Sequence, residues 1–291
     1  MTDRPFIAEV CVCCESPRLQ RSPAVLMPFL GERIFGWRPV RITEDWGMRT
    51  LETGMAYPLC NSVRCADCAH LFLDMRFSDD QMKRLYHRYQ DADYAALRAT
   101  YEPDYLERNA RLTAGITYLD QVERFLAPFT PSQPRILDWG GGRGRNTPFP
   151  DARALHHVYD IADDDPVAGA QMVDRETALS GGYDLVVCSN VLEHLPYPMD
   201  TLDEIAKAVG PETVVYFELP YENVQRQTGD APEALTLKRH WHEHINFFSR
   251  RSVSVVLQRA GFEVIAHELV NVLQPPAESY NFFIACRKAK G

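Results

Sequence analysis

No stretch of this sequence approaches the roughly 18 consecutive apolar residues that a bilayer-spanning helix needs. The opening MTDRPFIAEV has no basic segment followed by an apolar run, so no secretory leader is expected and the expected location is cytoplasmic. Cations are scarce as well. Lys and Arg number 31 against 40 Asp and Glu, a formal charge of −9, and no segregated basic patch is visible. That balance repels a phosphate backbone and speaks against nucleic acid as a partner. Disorder is equally unsupported, since 45% hydrophobic and 24% charged residues over 291 positions suit one medium domain plus a smaller module.

Cysteine, in contrast, is concentrated. Six of the eight lie within the first 68 residues, and in a reducing compartment such clustering points to metal rather than to disulfides. Cys11-Val-Cys13-Cys14 and Cys65-Ala-Asp-Cys68 each contain a C-x-x-C pair. Zinc takes four soft ligands in a tetrahedron, and two such knuckles supply them. The expected set is Cys11, Cys14, Cys65 and Cys68, with Cys13, Cys60 and His70 as substitutes for one member. A fully thiolate set leaves no open position, so the zinc would be structural. Buried free thiols acting as small core residues are the competing reading, which leaves two correctly spaced pairs unexplained. Residues 15 to 59 are rich in Pro, Gly and Arg, with alternating runs such as Arg33-Ile-Phe35 that suggest short strands and loops. Residues 1–77 are therefore expected to form a zinc-ribbon-like module.

A helical connector is expected over 78–130. Ser78-Asp-Asp-Gln81 has the polar start of a helix, followed by Met82, Leu85, Tyr86 and Tyr89 at helical spacing. From Asp104 to Leu126 the set Leu112, Ile116, Leu119, Val122 and Leu126 keeps the same period and predicts one helix, closed by Pro128 and Pro131. Of the dense tyrosines here, Tyr89 and Tyr94 are candidates for acceptor binding, packing between modules being the alternative.

Arg135-Ile-Leu-Asp138 reads as a buried strand running into Trp139-Gly140-Gly141-Gly142-Arg143-Gly144. Glycines at 140, 142 and 144 permit a tight turn and close approach of a ligand to the backbone. Twenty-two residues after Asp138, His157-Val-Tyr-Asp160 ends a second strand with a carboxylate suited to ribose hydroxyls. With Asp184-Leu-Val-Val-Cys-Ser-Asn190-Val-Leu-Glu193-His194-Leu added, residues 131–288 resemble a class I S-adenosylmethionine-dependent methyltransferase, and the domain is expected over 131–291. The loop is G-x-G-x-G, and Arg145 stands where a dehydrogenase of the nicotinamide class would carry its last glycine.

The resemblance implies an α/β, Rossmann-like sheet of seven strands in the order 3-2-1-4-5-7-6. It implies that S-adenosylmethionine is held by Asp138, Gly140, Gly142, Gly144 and Asn190, with Asp160 on the ribose, Ile161 against the adenine and Asp174 at the adenine amino group. Glu193-His194 would support from behind the cofactor edge. Glu218-Leu-Pro-Tyr221 and His242-Glu243-His244 resemble bacterial sugar methyltransferases that also begin with a zinc-binding Cys module. In those C-methyltransferases a Tyr-His-Glu-His segment supplies the base, which implies His244 as general base with Glu243 beside it, and His242 and Tyr221 as further catalytic candidates. Trp241 replaces the tyrosine, and the chain ends near 291 without that group's additional C-terminal domain; both departures favour transfer to oxygen over carbon. The implied acceptor is a polar small molecule, a sugar or nucleotide-sugar, shaped by Tyr89, Tyr94, Tyr221, Trp241 and loops at 221–240 and 271–279. His240, His242 and His244 could instead ligate a metal from one strand face. RNA methylation, a non-catalytic binding role and a nicotinamide oxidoreductase are the competing functions.

Overall fold

The computed structural model describes residues 4–47, 53–57, 59–89, 91–161, 165–273 and 276–289. Positions 48–52 and 58 of the Pro- and Gly-rich stretch, and 274–275 of the loop at 271–279, lie outside the described residues. Strand β1 (Leu19–Leu26) leads into helix α1 (Pro28–Phe35). Pro28 occupies the first turn, where its missing N–H is not needed, and Gly36 closes the helix at φ 68°. Phe29, Leu30 and Ile34 fall on the buried face. Arg33-Ile-Phe35 is therefore helical, not the short strand its alternation suggests, because three residues cannot separate a period of two from one of 3.6. Strands β2 (Val40–Ile42) and β3 (Gly54–Ala56) form a separate antiparallel ribbon, followed by β4 (Leu59–Cys65) and β5 (Leu71–Leu73).

Four helices connect this region to the rest. Helix α2 (Asp79–Tyr86) starts in a capping box: Ser78 Oγ accepts from the Gln81 N–H, and Gln81 Oε1 accepts from the Ser78 N–H. Asp91 caps α3 (Ala92–Ala99). The single helix expected over 104–126 is two, α4 (Tyr105–Ala114) and α5 (Leu119–Leu126). Gly115, at φ 93°, turns the chain out of α4 although the apolar period continues across the break.

The remaining chain alternates strands and helices: β6 (Arg135–Trp139), β7 (Leu155–Tyr159), β8 (Gln171–Met172), α6 (Arg175–Leu179), β9 (Leu185–Ser189), α7 (Pro198–Ala208) and β10 (Val214–Tyr221). Then come α8 (Asn223–Thr228), α9 (Ala234–Leu237), β11 (His240–Trp241), β12 (Asn246–Phe247), α10 (Arg250–Arg259), β13 (Phe262–Asn271) and β14 (Tyr280–Lys288). The main sheet runs β13-β14-β10-β9-β6-β7-β8, with β14 antiparallel to both neighbours and the others parallel. Numbered within the sheet, this is 3-2-1-4-5-7-6 read from the opposite edge, the Rossmann-like order expected. Its strands alternate faces. Leu137, Val186 and Phe217 meet α7 and α10 on one side, while Ile136, Val187 and Tyr216 meet Val122, Phe125 and Leu126 of α5 on the other.

A second sheet has the order β11-β1-β4-β5-β12. Its central strands come from the first 77 residues, but both edges come from 240–247. The chain thus leaves the main sheet after β10, contributes two edges to the N-terminal sheet, and returns through α10. The segment between β11 and β12, with His242 to His244, joins the two edges of the N-terminal sheet and meets the loop after β9. Among the described residues no helix is long and apolar enough to cross a membrane.

Candidate active site

The glycine loop is shaped by what it touches. A Cβ on Gly140 would lie 2.6 Å from Val191 Cγ2, and one on Gly141 would lie 2.2 Å from the Asp138 carboxyl carbon. Either substitution requires movement, so the loop can pass this close only with hydrogen at both positions. Gly142, in contrast, faces open space, and its N–H donates to Asp160 Oδ2 at 2.7 Å, which fixes the carboxylate at the end of β7 beside the loop. Asp138 lies beneath, 3% exposed; Thr147 Oγ1 donates to its Oδ2 at 2.5 Å. Burial pushes the Asp138 carboxyl up to about 6, against the opposing pull of Thr147. Gly144 packs against His156, and Ile161 is exposed. Asp174 accepts the Thr177 N–H on Oδ1 and caps α6.

The loop after β9 joins this corner to a second one. Asn190, at φ 53°, donates its backbone N–H to the Glu218 carbonyl. Val191 packs on Gly140, and three residues further on His194 meets His244 edge-on, ring centroids 4.7 Å apart. The intervening Glu193 is fully buried, and its carbonyl accepts the N–H groups of Ile245 and Asn246. Asn246 Nδ2 donates to the carbonyls of Leu192 and Leu195, locking the loop to β12.

His244 Nδ1 lies 2.7 Å from Glu222 Oε1. A carboxylate only accepts, so Nδ1 carries the hydrogen and, in the neutral ring, Nε2 holds the lone pair. Burial pulls the His244 pKa down, but the hydrogen bond and charge of Glu222, with Glu193 and Glu243, outweigh it and the net shift is upward. His194 Nδ1 lies 3.0 Å from the Glu243 carbonyl and 2.8 Å from the Tyr86 hydroxyl. The carbonyl assigns the hydrogen to Nδ1 here too, and burial drives the ring's pKa down to about 3, keeping it neutral. Glu243 points elsewhere, to Arg98 of α3 at 2.5 Å. Despite burial, Arg98 holds its carboxyl down to about 2. His242 accepts the His244 N–H on Nδ1 at 3.3 Å.

Several expected site residues have partners within the fold. Trp241 is fully buried and donates from Nε1 to Ser62 Oγ, which anchors β11 to β4. Tyr94, 2% exposed, packs edge-on against Phe29 and Tyr89. Tyr221 donates its hydroxyl to the Gln225 carbonyl, and its ring lies tilted against Phe282. His240 is exposed on an edge strand, and the described residues show no convergence of His240, His242 and His244. Glu222 and Arg98, which sequence reasoning does not single out, are the groups that hold His244 and Glu243. No spacing rule could link 222 to 244, or 98 to 243.

At the other end of the N-terminal sheet the four expected thiols converge. Cys11 and Cys68 Sγ are 3.6 Å apart, and Cys14 and Cys65 Sγ 3.5 Å. Glu15 and Ala69, each directly after the second cysteine of a pair, both adopt positive φ, 58° and 61°. The two knuckles are thus equivalent turns. Cys13 and Cys60 are buried outside the set, and His70 stacks on Phe72 with Nε2 3.4 Å from Asn246 Oδ1.

A model of the methyltransferase domain family matches residues 105–267, more than half of the chain. The chain belongs to that family. Together with the glycine loop and its flanking carboxylates, this identifies a class I S-adenosylmethionine-dependent methyltransferase. No curated protein matches it. Among solved structures the methyltransferase is similar to the 1,6-didemethyltoxoflavin N1-methyltransferase of Burkholderia thailandensis, solved with its acceptor and S-adenosylhomocysteine. There the TM-score is 0.48 and the identity 17%, over 68% of this chain and 90% of the other. It is also similar to the magnesium protoporphyrin IX methyltransferase of Synechocystis, at TM-score 0.43 and 16% identity over 59% and 82%. An O-methyltransferase family protein of Burkholderia thailandensis aligns at 0.44 and 16%, over 66% and 61%.

Proposed function

We propose that this methyltransferase transfers the methyl group to a hydroxyl of a sugar or nucleotide-sugar, with His244 as the general base. The observation that carries the reading is the loop after β9, which touches the glycine loop through Val191 and the His244 pair through Glu193-His194. That shared loop supports reading the His244 Nε2, unprotonated in the neutral ring, as the proton acceptor. The cofactor supplies an electrophilic methyl on a sulfonium. The chain supplies alignment and a proton acceptor: as the acceptor oxygen bonds to the methyl carbon and the carbon–sulfur bond breaks, the hydroxyl proton passes to His244 Nε2. Glu222 holds the ring and balances the charge that develops on it. Directly after Glu222, α8 borders a cavity of about 510 Å³ lined by Asn223, Arg226, Gln227, Pro276 and Glu278. Such polar walls suit a polyhydroxylated acceptor.

The test is transfer from methyl-labelled donor across a panel of nucleotide-sugars, with product mapping. An O-methylated sugar is expected, and His244→Ala should lower kcat by about 10²–10⁴ with S-adenosylhomocysteine binding retained. Unchanged turnover in that variant overturns His244 as the base; methylation of none of the panel overturns the acceptor class.

Four thiolates at these separations fit a zinc–sulfur distance of about 2.3 Å, and we infer that they hold a structural zinc ion. With all four ligands from protein, that ion stabilises the knuckles and takes no part in transfer.

A further inference from the structure

Glu193 is the odd group of the active site. Its side chain is fully buried, and among the described residues neither carboxylate oxygen accepts a hydrogen bond. A buried carboxylate without partners is costly, and a persistent one calls for an occupant. Its Oε1 lies 3.9 Å from His194 Nε2, and a donor atom from each of Glu193, His194 and His244 lies within 4.8 Å of the other two. Both imidazoles commit Nδ1 elsewhere, His194 to the Glu243 carbonyl and His244 to Glu222, which turns both Nε2 lone pairs into the available ones. Orientation of a ligating histidine through a carbonyl or carboxylate on its other nitrogen is the arrangement that metal sites use.

We propose that Glu193, His194 and His244 form a second metal site, for a divalent transition ion such as zinc, cobalt or iron(II). Two imidazoles and one carboxylate are a donor set these ions accept. Ligand bonds of about 2.0–2.2 Å put donors roughly 3.4 Å apart, so the three groups must draw together by up to about 1.4 Å. Backbone anchoring of Glu193 through Ile245 and Asn246 sets that distance from both sides. In its consequence the site rests on the reading of His244 as proton acceptor: an ion on Nε2 occupies the lone pair that would take the proton, so metal and acceptor proton compete for one atom.

The experiment is titration of the zinc-loaded full chain with cobalt(II), without methyl donor or acceptor, read by calorimetry and visible absorption. A second equivalent should bind with nitrogen–oxygen d–d bands and no new thiolate charge-transfer band. Glu193→Gln and His194→Asn should each abolish it, and Glu222→Gln, which frees the His244 ring, should weaken it about ten- to a hundredfold. Glu193→Gln keeps the side-chain shape and removes a buried charge, so folding is preserved. One ion per chain in the wild type, or a second ion bound equally by Glu193→Gln and His194→Asn, overturns the proposal. Because neither donor nor acceptor is present, either result leaves His244 as base to be judged on transfer alone.

Discussion

Asp138 shows at the scale of one residue how the cofactor corner works against the fold. It sits beneath the loop with Gly141 directly on its carboxyl group, and burial outweighs the Thr147 hydrogen bond in setting its proton affinity. Its folded pKa, about 6, lies above the unfolded 3.8. The folded state therefore holds the proton more tightly, and stability falls as pH rises from 3.8 to about 6, then levels off. The loss amounts to about 3 kcal/mol, since a tenfold difference in proton affinity is worth about 1.36 kcal/mol. In Asp138→Asn this part of the pH dependence should disappear, so that urea midpoints of variant and wild type converge near pH 4 and separate, with the variant higher, above pH 6. Parallel curves across that range would show that the carboxyl is not the titrating group.

Among the elements, α3 does more than bridge two modules. Arg98 is 1% exposed, pairs with Glu102 and Glu243, and lies over the Tyr105 ring at 4.2 Å. Arg98→Met leaves the Glu243 charge buried without its partner, and removing one member of a buried pair costs about 3–5 kcal/mol. Arg98→Met with Glu243→Gln should recover most of that loss, because no unpaired charge remains; denaturant unfolding of the single and double variants checks this. Equal stability of the two would mean that the ion pair contributes only packing. None of this is written locally. The start of α2 is legible because the capping box spans four residues, Ser78 to Gln81, and the glycine loop because its turn and strand are contiguous. The break at Gly115 is not, since an apolar period that continues across it masks it, and three alternating residues hide α1. Arg98–Glu243 and Glu222–His244 are pairs brought together only by tertiary packing, for which a single sequence holds no signal.

For the whole molecule, the decisive feature is that the segment bearing the histidines is edge-paired to the N-terminal sheet. Val25 and Leu26 of β1 align with His240 and Trp241, and Phe72 and Leu71 of β5 with Asn246 and Phe247. That sheet is short-stranded, and its outer end is tied at the knuckles through Cys11, Cys14, Cys65 and Cys68, where β4 ends at Cys65 and hydrogen-bonds β5 across the turn. A structural zinc ion would therefore act at a distance: it fixes β4 and β5, which fix β12, which sets His244 against His194. One zinc per chain is expected at the four thiolates of the purified protein. Its removal by a strong chelator should lower the stability of the chain and cut methyl transfer together, while S-adenosylhomocysteine binding, if held as proposed by β6, β7 and the glycine loop, declines less. Cys65→Ser should reproduce the pattern without chelator. Transfer that survives complete zinc loss would show that the edge pairing of β11 and β12 alone holds the histidines in place, leaving the metal to serve only the knuckles.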